Sequence, residues 1–263
     1  MAKIIAVHSF RGGTGKSIIV ASLSVSFAED GYNVCAVDSD ITNPSLHILY
    51  GLGDKPPYPT LSEHLIGKCE FLDMVKELKV SEKGRLYLIP ANLNCEAIKA
   101  FLREGYSYER LNNVLQEIEK KLAPDVVLMD VRPGLDDKTM LILERTHLLL
   151  LVLRNDRVDL LGTGIALEFA KYFDIPKKYL VPNMISKKYD FKEVKEKIEE
   201  LYEPYKISVL EVLPESRKLQ EYLIKSPGIF IKDHPNDIFS KGINKLRETI
   251  KKRLVDSKMF FRC

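Results

Sequence analysis

Short apolar runs recur along the chain: Ile4–Val7, Val34–Val37, Leu86–Ile89, Val126–Met129, Leu148–Leu153, Tyr179–Val181 and Ile207–Leu213. They are continuous rather than alternating, the pattern of strands buried on both faces in a parallel sheet. Segments of helical period separate them: Ser17–Glu29, Tyr108–Leu122, Val158–Phe173, Phe191–Tyr202 and Asp237–Leu254. Asp30-Gly31 is a stop signal for the first helix, and Thr60-Leu61-Ser62-Glu63 reads as a capping box. Strand–helix alternation from end to end predicts one doubly wound α/β domain over residues 1–263. The Pro-rich stretch Asp54–Pro59 reads as a surface loop, because strands resume on the same rhythm after it.

Composition narrows the class without naming a function. Of 263 residues, 45% are hydrophobic and 29% charged, enough for a sizeable core. That excludes collagen-like, disulfide-scaffold and disordered chains. A net charge of +3 is too small to demand nucleic acid, but it is unevenly placed. Between Lys241 and Cys263 there are eight Lys or Arg against two acidic residues. Cys35, Cys69, Cys95 and Cys263 form no CxxC pair, which favours a reducing compartment over a metal site. No apolar run is long enough to span a bilayer, and the N-terminus enters a strand directly, without the pattern of a signal peptide. A cytoplasmic protein is expected. Trp is absent and Gln occurs only at 116 and 220, a composition that leans toward heat adaptation.

Chemistry concentrates after the first strand, in Ser9-Phe10-Arg11-Gly12-Gly13-Thr14-Gly15-Lys16-Ser17-Ile18. Gly12, Gly13 and Gly15 let backbone N–H groups converge on phosphate oxygens without a β-carbon in the way. The helix that follows aims its positive end at the same anion. Lys16 is placed to reach β and γ phosphates, and Ser17 to offer a hydroxyl to Mg²⁺. The full loop from Gly12 to Ile18, Thr14 included, is the predicted nucleotide cradle. After the second strand, Asp38 and Asp40 lie two apart at its C-terminal end; such a pair polarises water or holds a metal's hydration shell, whereas the simpler alternative is an Asx turn. Asp125-Val-Val-Leu-Met-Asp130 reads as a buried strand that leaves the Asp130 carboxylate at its tip, where Mg²⁺ is held. The predicted metal set is therefore Ser17, Asp38 and Asp130. A guanine-reading Asn-Lys-x-Asp is missing, which favours ATP over GTP.

Position 10 is Phe where the general phosphate loop has Gly, and the remaining Arg-Gly-Gly-Thr-Gly-Lys-Ser resembles the deviant Walker A loop of the MinD/ParA P-loop ATPases, MinD branch. Asp38-Ser39-Asp40 resembles that family's switch I, and Pro133-Gly134 its switch II. The resemblance implies a mostly parallel sheet of about eight strands, ATP or ADP with Mg²⁺, and a slow ATPase that forms a homodimer around ATP. It gives Arg11, in place of the family's lysine, a contact with the partner copy's phosphates; Asp40 the orientation of the attacking water; and the Gly134 N–H the sensing of the γ-phosphate. It places Asn183, and Pro214 with Glu215, around the base. A protein activator or cargo is implied, in positioning of division or partition machinery.

The same resemblance leaves two other uses open. One is a metallocentre-maturation ATPase, with Cys95 or Cys263 serving singly across a dimer. The other is a nucleotide-gated scaffold with little turnover, motivated by Phe10 and Arg11. Arg132 between Asp130 and switch II is unusual and could hold a partner carboxylate or phosphate. Ile243, Leu246, Ile250 and Leu254 share one face of the last helix, with Lys245, Lys251, Lys252 and Arg253 outside it. That face is expected to pack on the sheet, leaving Met259, Phe260 and Phe261 for peripheral contact with a membrane's inner face. Non-specific DNA binding is the weaker expectation. The five histidines are not spaced as metal ligands, and His8 reads as a packed neighbour of the loop.

Overall fold

The computed structural model describes residues 2–92, 99, 108–135, 139, 142–173, 175–225 and 228–255. At its centre β1 (Lys3–His8) runs parallel to β5 (Val126–Asp130) on one side and β6 (Leu148–Leu153) on the other. Beyond β5 come β2 (Val34–Asp38), β4 (Leu86–Ile89) and the antiparallel edge strand β3 (Lys76–Leu78). Beyond β6 come β7 (Lys177–Pro182) and β8 (Ser208–Val209), both parallel. The eight-stranded order β3-β4-β2-β5-β1-β6-β7-β8 is the doubly wound, mostly parallel sheet expected from the sequence. β1, β2, β5 and β6 are buried at every position, which is why their apolar runs do not alternate.

One face is covered by α1 (Lys16–Glu29), buried from Ile18 to Ala28. A helix enclosed on all sides must satisfy its polar residues locally. Ser24 donates to the Ala21 carbonyl at 2.8 Å and Ser26 to Asn244 at 2.6 Å. Outside α1 lies α10 (Ile238–Val255), whose Ile243, Leu246, Ile250 and Leu254 are buried as expected. Lys245 pairs with Glu211, and Lys251 with Asp30, so part of the basic face is occupied by ion pairs. The short helices α2 (Leu46–Leu49), α3 (Leu61–Leu65) and α4 (Phe71–Met74) follow β2, and Thr60 caps α3 through the capping box. The opposite face carries α5 (Tyr108–Glu117), α6 (Arg157–Ala170) and α7 (Phe191–Leu201), while α8 (Arg217–Lys225) and α9 (Phe230–Asp233) lead into α10.

Three elements differ from the periodicity reading. The run Ile207–Leu213 pairs as a strand only at Ser208–Val209. Its partner β7 ends at Pro182, which has no N–H to continue the ladder. The Pro182 carbonyl still accepts from the Leu213 N–H at 2.8 Å, and a single bridge follows between Ile185 and Pro214. β3 was not anticipated because Lys76-Glu77-Leu78 is half-exposed and polar, as edge strands are. The helix read over Tyr108–Leu122 changes at Ile118 into a π-helical turn. Cys95, Cys263, Met259, Phe260 and Phe261 lie outside the described residues.

Candidate functional site

Register brings the site together. Asp130 stands opposite both Val7 and Asp38, so β1, β5 and β2 end level, and both carboxylates meet the loop leaving β1. In that loop Gly13 and Gly15 hold φ of 79° and 88°, a left-handed backbone that side chains strain. A β-carbon on Gly13 would point into open space, whereas one on Gly15 would lie 2.4 Å from the Asn183 amide nitrogen. α1 begins with no side-chain cap and no acidic residue in its first turn. Its leading N–H groups are therefore left for an anion. Among the described residues the buried Thr14 hydroxyl has no hydrogen-bond partner. A polyphosphate fits these features.

Lys16 is only 7% exposed and donates to Ser9 Oγ at 2.9 Å. Burial lowers its pKa, opposed by the nearby charges of Asp130, Asp40 and Asp159. Asp130 is buried, and burial pushes its pKa up to about 6 against the Ser17 hydroxyl and Lys16, which lower it. Asp38 is fully buried; desolvation and the Asp130 charge raise its pKa well above the carboxylate range. Its oxygens accept from the N–H groups of Ser45 at 2.9 Å, Leu46 at 3.1 Å and Asp40 at 3.2 Å, which ties β2 to α2. Two adjacent buried carboxylates with a serine hydroxyl form a hard-oxygen set suited to Mg²⁺.

Asp40 is less enclosed. Its Oδ1 accepts from the Thr42 N–H and hydroxyl and the Asn43 N–H at 3.2, 2.7 and 3.1 Å. This is the Asx turn foreseen as the simpler reading, and it sits beside Lys16. Gly134, with φ of 91°, donates its N–H to the Ser9 carbonyl at 3.2 Å. His8 bonds through Nδ1 with the Arg132 carbonyl at 3.1 Å, as a packed neighbour would.

Arg11 turns toward the start of α6. Its Nε is 3.2 Å from Asp159 and its Nη1 3.9 Å from Asp156. Asp156 also caps α6 by accepting from the N–H groups of Val158 and Asp159. One turn on, Gly162 makes room for Phe10: a β-carbon there would lie 2.1 Å from Cδ1 of the ring. Asn183 is buried at the end of β7 and donates to the Thr14 carbonyl at 2.8 Å, so its amide braces the loop. A cavity of about 140 Å³ opens beside it, between Asp156, Met184 and Tyr189. Pro214 is bridged to Ile185, and Glu215 is exposed and bonded to Gln220 at 3.0 Å.

Ser9, Asp156, Asp159 and Gly162 were not singled out from the sequence. Asp156 and Asp159 carried a legible signal as an N-cap with an acidic third position, but nothing along the chain ties them to Arg11. Gly162 is an unexplained glycine in a helical pattern until Phe10 is seen against it.

Among solved structures, the chain resembles the Pyrococcus furiosus cell division ATPase MinD with a TM-score of 0.79 and 25% identity, over 96% of this chain and all of that one (100%). It resembles the Pyrococcus horikoshii septum site-determining protein MinD, complexed with Mg-ADP, with a TM-score of 0.77 and 23% identity, over 99% and 100%. Two ATP-binding proteins of Methanocaldococcus jannaschii are 32% identical over 152 residues and 28% identical over 248. The chain spans 53% of the length of the first and 87% of the second. The flagellum site-determining protein YlxH of Helicobacter pylori is 25% identical over 93% of this chain and 80% of its own. Residues 5–226 match the family model of the CobQ/CobB/MinD/ParA nucleotide binding domain. That match covers most of the sequence, and the chain belongs to the CobQ/CobB/MinD/ParA family of nucleotide-binding domains.

Proposed function

We propose that this protein is an ATP-hydrolysing dimerisation switch of the MinD/ParA type, acting on the position of a cellular cargo or of division machinery. The observation that carries it is the convergence of Lys16, Ser17, Asp38 and Asp130 on the capless start of α1. Lys16 would leave Ser9 for the β and γ phosphates of ATP. Ser17 and Asp130 would hold Mg²⁺, with Asp38 beside them, and the metal would neutralise charge on the transferred phosphoryl group. Asp40 would orient the attacking water. The Gly134 N–H would exchange the Ser9 carbonyl for the γ-phosphate. Asn183 and the Pro214–Glu215 turn would flank the adenine.

Arg11 has a choice of partner in this reading. In the single chain it is paired with Asp159 and Asp156; in the dimer it would face the second copy's phosphates. Arg11 is 39% exposed but its closer acid, Asp159, is only 2% exposed, so a phosphate that takes the arginine would leave the Asp159 carboxylate to the Arg154 N–H. Mass in solution tests the switch directly. It should double with ATP and return with ADP; a mass unmoved by ATP, with nucleotide demonstrably bound, counts against dimerisation.

A second use has a relative behind it. The iron–sulfur cluster carrier of Pyrococcus furiosus is 26% identical over 193 residues, 68% of this chain. Stoichiometric iron in the purified protein would favour that role. Among the described residues no helix is long and apolar enough to cross a membrane. We place the protein in the cytoplasm, with any membrane contact peripheral.

A further inference from the structure

At the opposite edge of the sheet from the glycine loop, the first residues of β7 and β8 border a cavity of about 350 Å³. Five cations line it, Lys171, Lys177, Lys178, Lys206 and Arg253, and among the described residues no carboxylate does. The whole chain carries a net charge of only +3, so this is a steep local concentration. Like charges gathered around one hollow repel, and an anion within it relieves all of them together.

Lys171 is paired with Glu168, and Lys177, Lys178 and Arg253 are held in place by contacts that leave their charge unneutralised. Lys178 donates a hydrogen bond to the Ile175 carbonyl at 3.2 Å, and Lys177 donates one to the Arg253 carbonyl. An ammonium has three donors, so among the described residues each keeps two to spare. Lys171 stands 4.6 Å from the centre of the Tyr205 ring, and the Arg253 guanidinium 6.0 Å from that of Tyr179. Among the described residues, no carboxylate pairs with Lys177, Lys178, Lys206 or Arg253. Glu168, outside the lining, is bonded to Lys171 at 3.0 Å and to the Tyr205 hydroxyl at 2.7 Å. Lys206 keeps a left-handed backbone, φ 50°, which Gly or Asn would adopt more easily.

We propose that this cavity is a second anion site, separate from the nucleotide site, that takes a small, multiply charged phosphate compound. Shape decides the size of the ligand. The cations stand around a recess that also includes Leu167, Pro176 and Ile207, where a compact phosphate enters but the convex backbone of a nucleic-acid duplex reaches only the rim. The donors are side-chain points on flexible stems, so the site selects charge rather than one geometry.

Inorganic pyrophosphate titrated calorimetrically into the full chain tests this. The Lys16→Ala background removes the loop's lysine from the measurement. Saturable one-to-one binding is expected, weaker by about tenfold or more in Lys206→Gln/Arg253→Gln. Glu168→Gln, which keeps the Tyr205 contact and deletes the neighbouring negative charge, should bind more tightly than the parent, a gain that a purely structural role for these residues would not produce. Absence of saturable binding at millimolar pyrophosphate overturns the proposal. So does equal affinity in the Lys206→Gln/Arg253→Gln variant, provided its melting temperature matches the parent. If a short DNA duplex or phosphatidylglycerol vesicles bind through Lys206 and Arg253 while pyrophosphate does not, the patch is a macromolecular surface and the small-anion site is refuted.

Discussion

The two ends of one sheet collect positive charge in opposite ways. At the carboxyl end, Lys16 is buried, bonded to Ser9 and surrounded by Asp40, Asp130 and Asp159, while Arg11 is paired with acids on α6. At the amino end, five cations border a hollow that no carboxylate lines among the described residues. The first arrangement relies on backbone N–H groups and glycine curvature, and its acids outnumber its cations. A bare polyphosphate meets repulsion there unless it brings a metal, so binding and metal are coupled. The second arrangement has only point charges and can take an anion alone, at the expense of specificity and with sensitivity to salt.

The largest separation of the two ends is expected from Lys16→Ala. It should weaken ATP binding by about a hundredfold, through loss of a buried charge-assisted contact, while leaving anion binding at the amino end unchanged. Titration with a fluorescent ATP analogue reads the first and calorimetry the second. Equal losses at both ends would mean that Lys16 acts through folding rather than through phosphate.

Gly162→Ala comes next. Its new methyl would lie 2.1 Å from the Phe10 ring, and overpacking of that kind costs about 1–3 kcal/mol. Denaturant unfolding should show the loss, and Phe10→Ala in the same chain should recover most of it. Recovery would establish that the loop and α6 are fitted to each other.

Asp130→Asn sharpens the electrostatic side. Burial raises the Asp130 pKa to about 6, above the value of about 4 of an unfolded aspartate. Between those values the folded chain holds a proton that the unfolded chain has released, so stability falls as pH rises through that window. Above it, Asp130→Asn should stabilise the nucleotide-free protein by about 2 kcal/mol, seen as a higher melting temperature, and flatten the pH dependence. The same variant should lose Mg²⁺-dependent stabilisation by ATP. In the parent, that stabilisation should fade as pH drops below about 6, because a protonated carboxyl does not hold the metal.

The smallest effect on the fold is expected from Asp40→Ala. It removes an Asx turn at the surface, worth about 1 kcal/mol, and should leave ATP binding intact while phosphate release stops. Normal turnover would remove Asp40 from the reaction and leave it as a turn former.

Legibility varied with the range of the interaction. The strands of the central sheet, the glycine loop and the capping box at Thr60 were readable because each depends on neighbours within a few residues. Ile207–Leu213 misled because an apolar run says that a segment is buried, not that its partner has N–H groups to offer; Pro182 does not. The Asn183 amide donates to the Thr14 carbonyl, a contact between residues 169 positions apart that nothing along the chain signals. Arg11 was read as a cation free to cross to a partner, and the fold supplies Asp159 and Asp156 within its own chain.

Local structure was thus legible along the chain: strand from apolar run, a glycine-curved loop at the exit of β1, and a hydroxyl and a lysine at the start of α1. Those assignments rest on backbone freedom and short-range periodicity, which neighbouring residues contain in full. Which charges meet was settled only by tertiary structure. Asp38 faces Asp130 because β2 and β5 are in register, Phe10 fills the notch at Gly162, and five cations from three separated stretches share one hollow. Coulomb energy and close packing depend on distance through space, and distance along the chain does not determine it.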